Sequence, residues 1–156
     1  MTREDWVHIK RFTPSENWGD PLKMNFGLLW LLDSFRENIN SKITVVCGTQ
    51  GVHAKHSQHY TGKAVDIVTD ADGKSKIDLI FLAMKFPFTG LGVYPMARES
   101  TMKDPIGFHF DCRDVADLPR GVTQATWIGI PAGKPKLNKM EYFAINEENL
   151  KRFKIL

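Results

Sequence analysis

Ser57-Gln58-His59-Tyr60-Thr61-Gly62-Lys63-Ala64-Val65-Asp66 is the stretch from which the fold is read. Apolar and β-branched residues follow a glycine turn here, which predicts a strand over Lys63–Thr69. Side chains alternate along a strand, so Ala64, Asp66 and Val68 share one face, while Val65 and Ile67 point the other way, into a core. His59 precedes the strand in a loop rich in His, Ser, Gln and Thr. Gly62 permits a tight turn that folds His59 back towards Asp66.

Further along, Gly107–Arg113 predicts a second strand around Phe108-His109-Phe110-Asp111. His109, Asp111 and Arg113 share its polar face, and Phe108 and Phe110 its buried one. If the two strands are neighbours, His59, Asp66 and His109 converge. Two imidazoles and a carboxylate can hold a zinc ion with one position left open for water, as catalytic zinc sites do. The leading reading is therefore a hydrolytic enzyme using Zn2+. Asp111 is placed to orient a ligand imidazole or to pair with Arg113 at the surface. Ser57 is a candidate to fix the ligand loop by a backbone hydrogen bond. His53 and His56 are either substrate contacts or simple loop residues, and Tyr60 and Trp127 either wall a cleft or pack.

The pattern Ser-x-His-x-x-Gly-x-Ala-x-Asp followed by His-x-Asp resembles the signature of the M15 zinc peptidases, the D-alanyl-D-alanine carboxypeptidases and peptidoglycan endopeptidases that share a fold with the hedgehog signalling domain. The resemblance covers roughly residues 12 to 130, with Gly90-Leu91-Gly92-Val93-Tyr94-Pro95 similar to the strand before the last ligand and Trp127 to a Trp that commonly follows it. It implies His59, Asp66 and His109 as zinc ligands and a peptidoglycan peptide as substrate. Two departures matter. Many members carry Ser-Gly-x-Arg before the first ligand; here Cys47-Gly48-Thr49-Gln50 puts Gln50 in place of an Arg that would hold a substrate carboxylate in a bidentate pair. That favours endopeptidase action over removal of a terminal D-Ala. Some members carry an acid–base Glu three residues before the last His, where this chain has Ile106. A polar group five residues before it, as in others, makes Asp104 the expected general base, with Glu99 the alternative. The same resemblance admits a second function: a non-catalytic, zinc-containing module that binds cell wall or protein.

Composition fits one α+β domain over 1–156, with a small antiparallel sheet and helices packed on one side. The 156 residues are 42% hydrophobic and 25% charged, ordinary for a globular chain. A net charge of +3, with scattered basic residues, argues against nucleic-acid binding and is compatible with an anionic wall polymer. No run approaches the roughly 20 apolar residues of a membrane span. The polar N-terminus is unlike a signal peptide, so synthesis in the cytoplasm is expected, with action on the cell wall if this is a phage lysis enzyme. Cys47 and Cys112 fall on expected strands as reduced, buried thiols, and a nucleophilic role for Cys47 is a minor alternative. The remaining pattern predicts a short turn or helix start at Thr13–Glu16, helices at Pro21–Asn38, Ser75–Phe86 and Glu147–Lys154, and strands at Ile43–Cys47 and Leu91–Tyr94. Met96–Pro105 is expected as a cleft-lining loop and Gly121–Lys139 as irregular chain.

Overall fold

In the computed structural model, which describes residues 1–132 and 140–156, six strands form one sheet: β1 (Ile43–Cys47), β2 (Ala64–Asp70), β3 (Gly90–Tyr94), β4 (Pro105–Asp111), β5 (Ala125–Pro131) and β6 (Met140–Phe143). Their order is β1-β2-β4-β3-β5-β6. The sheet is mixed, not antiparallel as expected, because β5 runs parallel to β3. The cause is local. β4 is antiparallel to β3 and finishes with Asp111 beside Gly90, the start of β3. A chain that leaves β4 there and steps across enters the next strand from the same end as β3, so the two run parallel.

The helices are α1 (Phe26–Ile39), α2 (Lys76–Lys85) and α3 (Glu147–Arg152). All three contribute to one core with a single face of the sheet. Val65, Ile67, Leu91, Val93, Phe108, Phe110 and Ile128 form that face and are fully buried or nearly so. Phe35 of α1 meets Phe110 edge-on at 5.1 Å and Phe108 at 6.0 Å between ring centroids. Such aromatic pairs contribute about 0.5–1.5 kcal/mol beyond their buried area. With the apolar side chains taken up here, the alternate residues of these strands face the other way, away from this core.

Helix α1 starts later than Pro21. The Asn25 side chain accepts the Leu28 N–H at 3.0 Å and caps the helix, leaving residues 21–24 as a turn. Asn25 also ties the helix to the ligand loop, since its N–H donates to the Gly62 carbonyl at 2.9 Å. Thr13–Glu16 is a turn closed by the Glu16 carboxylate on the Thr13 N–H at 2.9 Å, with no helix after it. A 3-10 turn at Glu4–His8 has no counterpart in the sequence reading. Within Gly121–Lys139, residues 125–131 form β5 in place of irregular chain; 133–139 lie outside the described residues. Cys47 and Cys112 are free and half-buried, not fully buried. No helix among the described residues is long and apolar enough to cross a membrane.

Candidate metal centre

The sheet register assembles the site. Cys47, Asp66, His109, Gly92 and Trp127 pair successively from β1 to β5, forming one row across the face turned away from this core. His59 joins this row from outside the sheet, in a 3-10 turn at Gln58–Thr61. The Ser57 hydroxyl accepts the His59 N–H at 3.4 Å at the start of that turn. Gly62 ends it with φ 70°, a left-handed conformation, at a spot where any Cβ would strike the Lys23 carbonyl.

His59, Asp66 and His109 are a group that could hold a metal ion. His59 Nε2 lies 3.3 Å from His109 Nδ1 and 3.4 Å from an Asp66 oxygen, and His109 Nδ1 lies 2.9 Å from the other Asp66 oxygen. The second nitrogen of each imidazole is engaged elsewhere. His59 Nδ1 bonds the Gly48 carbonyl at 2.6 Å, and His109 Nε2 the Asp111 carboxylate at 3.1 Å. With one ring nitrogen of each imidazole held by an oxygen from behind, the opposite nitrogen is the one aimed at Asp66 and able to ligate a metal once deprotonated.

Asp111 is fully buried. It accepts the Arg113 Nε–H at 2.8 Å and a second bond from the same guanidinium. The two sequence alternatives for Asp111 are therefore one arrangement: it orients His109 and pairs with Arg113. Burial alone would raise the Asp111 carboxyl, but the Arg113 and His109 bonds hold it well below the usual carboxylate range. Asp66 behaves alike, with burial outweighed by its bonds to His109 and His59. Burial would lower His109, yet Asp111 and Asp66 on its two sides lift it to about 9.

A cleft of about 590 Å³ opens over this row, bounded by residues 53–59, Asp66, Tyr94, His109, Asp111, Arg113, Trp127 and Tyr142. Three glycines shape its floor. A Cβ at Gly90 would strike the Asp111 carboxylate, one at Gly92 would lie 2.6 Å from the Trp127 indole, and one at Gly129 would strike the Tyr94 ring. Each glycine leaves the space that a neighbouring side chain of the cleft occupies. Tyr94 and Tyr142 were not singled out from the sequence. For Tyr94 the available signal is Gly129, because a small residue on one face of a strand leaves room for a large one beside it.

Other expected residues are placed apart. Asp104, the expected base, is not in the cleft: it precedes the far end of β4, where Lys76 Nζ lies 2.6 Å from its carboxylate. Five residues of extended chain separate it from His109, roughly 17 Å at about 3.4 Å each. Glu99 is also outside the cleft, its carboxylate accepting the Thr101 N–H at 3.2 Å. The loop 96–104 contributes no residue to the cleft walls. Gln50 turns away too, its Nε2 donating to Asn17 oxygens at 2.8 and 2.9 Å. Gly48, two residues earlier, has no room for a Cβ because the Trp18 carbonyl occupies that space. His56 is exposed on the cleft rim. The Cys47 thiol is pushed up to about 11 by burial and the Asp66 charge, which removes it as a nucleophile at neutral pH. Cys47, His53 and His59 form a second close group. The His53 and His59 rings stack at 4.1 Å with 5° between planes, so their in-plane lone pairs run parallel and do not converge on one ion.

No protein-family model matches the chain, and a search of curated proteins finds no relative.

Proposed function

We propose that this protein is a zinc-dependent metallopeptidase that cleaves peptide bonds in bacterial peptidoglycan. One observation carries the zinc reading: His59 Nε2 lies 3.3 Å from His109 Nδ1 and 3.4 Å from one Asp66 oxygen, while His109 Nδ1 lies 2.9 Å from the other Asp66 oxygen. Around a tetrahedral zinc with bonds of about 2.0–2.2 Å, ligand atoms sit roughly 3.3–3.5 Å from one another. Three ligands on a cleft floor, each imidazole braced from behind, match a catalytic site with an open position better than a closed structural one. Bound zinc activates water near neutral pH and polarises a carbonyl.

The chain's own residues supply the rest. Asp111 and Arg113 hold the His109 ring in place, and Gly48 holds His59. Trp127 and Tyr94 form a wall against which an extended peptide would lie. With Asp104 and Glu99 remote, the proton carriers of this cleft are imidazoles. His53 Nε2 is engaged by the Gln50 carbonyl at 2.8 Å. His56, on the rim, is left to take the water proton and pass it to the leaving amine. The peptidoglycan substrate rests on the motif resemblance. Endopeptidase action is favoured because no cationic side chain stands at position 50 to hold a terminal carboxylate.

Incubation of the zinc-loaded protein with purified peptidoglycan, followed by mass analysis of the fragments, tests this reading. Cleaved cross-linked muropeptides are expected, with little free D-alanine. Stoichiometric zinc with no released fragment would favour the other reading, a non-catalytic zinc module that binds cell wall or protein. The absence of a free carboxylate base among the described cleft residues is the observation on that side. Synthesis in the cytoplasm followed by action on the wall, as in a phage lysis enzyme, accords with the peptidase reading.

A further inference from the structure

Tyr94 occupies a position that the metal ligands do not explain. It ends β3, two residues beyond Gly92, the partner of His109. That makes it a diagonal neighbour of His109, within reach of an aromatic side chain. Its ring is seated on Gly129, at a spot no Cβ could share, and it lines the cleft beside Asp66 and His109. The Trp127 indole N–H is shielded from solvent and has no hydrogen-bond partner within bonding distance among the described residues. A phenol both donates and accepts, so the hydroxyl of Tyr94, on the cleft lining, can donate to a group bound there. Burial, the strongest influence on this phenol, pushes it up to about 12, so it keeps its proton at working pH.

We propose that Tyr94 is a catalytic residue whose hydroxyl donates a hydrogen bond to the scissile carbonyl oxygen as that oxygen gains negative charge. The inference rests on the peptidase reading and assigns to it a second electrophilic partner beside the metal. Hydrolysis adds a water oxygen to the carbonyl carbon, breaks the C–N bond and delivers a proton to the leaving nitrogen. Tyr94 keeps its own proton throughout. A donor aimed at developing charge acts on turnover more than on substrate binding.

Tyr94→Phe retains the ring on Gly129 and removes only the hydroxyl. Zinc content should be unchanged, with kcat on a cross-linked muropeptide down by about 10²–10³-fold, the scale for losing one such donor, and KM within about threefold. A kcat within about threefold of wild type overturns the inference. The second measurement is independent of turnover: binding of a dipeptide phosphinate, a tetrahedral anionic mimic of the reacting carbonyl, to both zinc-loaded proteins. Tyr94→Phe should weaken the phosphinate at least about tenfold while binding an uncleaved peptide equally well. Equal phosphinate affinity in the two proteins, or no phosphinate binding by wild type, overturns the inference. A wild type that fails to cleave peptidoglycan yet shows the phosphinate difference removes peptidoglycan as the substrate and keeps Tyr94 as the donor to a tetrahedral anion in this cleft.

Discussion

The two ends of β4 carry similar residues to opposite uses. At one end, His109 and Asp111 are buried and Arg113 follows, each held by defined partners. At the other, Pro105 pairs with Asp70 and the Asp104 N–H donates to the Asp70 carboxylate, beside half-buried Lys76 and exposed Lys103. Both ends hold an aspartate next to a cation. Only at the His109 end is the carboxylate removed from water, where charges interact strongly and fix geometry. At the Asp104 end the charges are solvated and screened. What makes a carboxylate part of this site is therefore its row in the sheet, not its count of residues from a ligand.

The largest effect is expected at the buried end. His59→Ala with His109→Ala should take bound zinc from about one per chain to none by elemental analysis, with turnover at background. Zinc content equal to wild type would break the comparison, since the metal would then lie elsewhere.

Asp111→Asn comes next. The carboxylate braces His109, and losing such a brace lowers metal affinity by about 10–100-fold. It also leaves Arg113 without its partner. Breaking a buried pair costs roughly 3–5 kcal/mol, but Arg113 keeps 24% of its side chain exposed, so the loss should lie at or below about 3 kcal/mol. Competition with a chromophoric chelator and a urea titration measure the two parts. Unchanged affinity together with lost stability would reduce Asp111 to a structural ion pair.

Much of the buried end is legible in the sequence. Period-two alternation puts Asp66 on one face of β2 and His109 and Asp111 on one face of β4, and the Gly62 turn brings His59 back. Those are local rules. The strand order is not local: β4 between β2 and β3, and β5 parallel to β3, follow from which long-range pairings bury Phe108 and Phe110. β5 was hidden because Gly129 and Pro131 read as turn residues, although Gly129 is there to seat Tyr94. Asp104 was misplaced because an offset of five residues was read without the strand in between. Once those residues are extended chain, the offset becomes a distance that no side chain spans.

Asp104→Asn sharpens the contrast with Asp111→Asn. It removes a pair with Lys76 in which the carboxylate is half-exposed, of a kind that contributes about 0–1 kcal/mol, and it leaves the cleft untouched. Turnover within about threefold of wild type and a stability change inside that range are expected. A loss of about a hundredfold in turnover at unchanged stability would return Asp104 to the chemistry and break the comparison.

The smallest effect should come from Asp70, opposite Pro105 at the exposed end. Its carboxylate accepts the N–H groups of Asp104 at 3.0 Å, Lys103 at 3.1 Å and Asp72 at 3.0 Å. The Asp104 bond is the largest influence holding it below its ordinary value of 3.8. A carboxyl lowered by folding adds stability that is fully present above 3.8 and is lost as pH falls through its lower folded value. Asp70→Asn retains one acceptor oxygen and never titrates. Its melting temperature should therefore sit slightly below wild type at neutral pH, and the two curves should converge as the pH drops under about 4. Thermal melts across that range decide it. A gap that persists undiminished into strong acid would mean that Asp70 acts through turn geometry alone, and that charge plays no part at this end of β4.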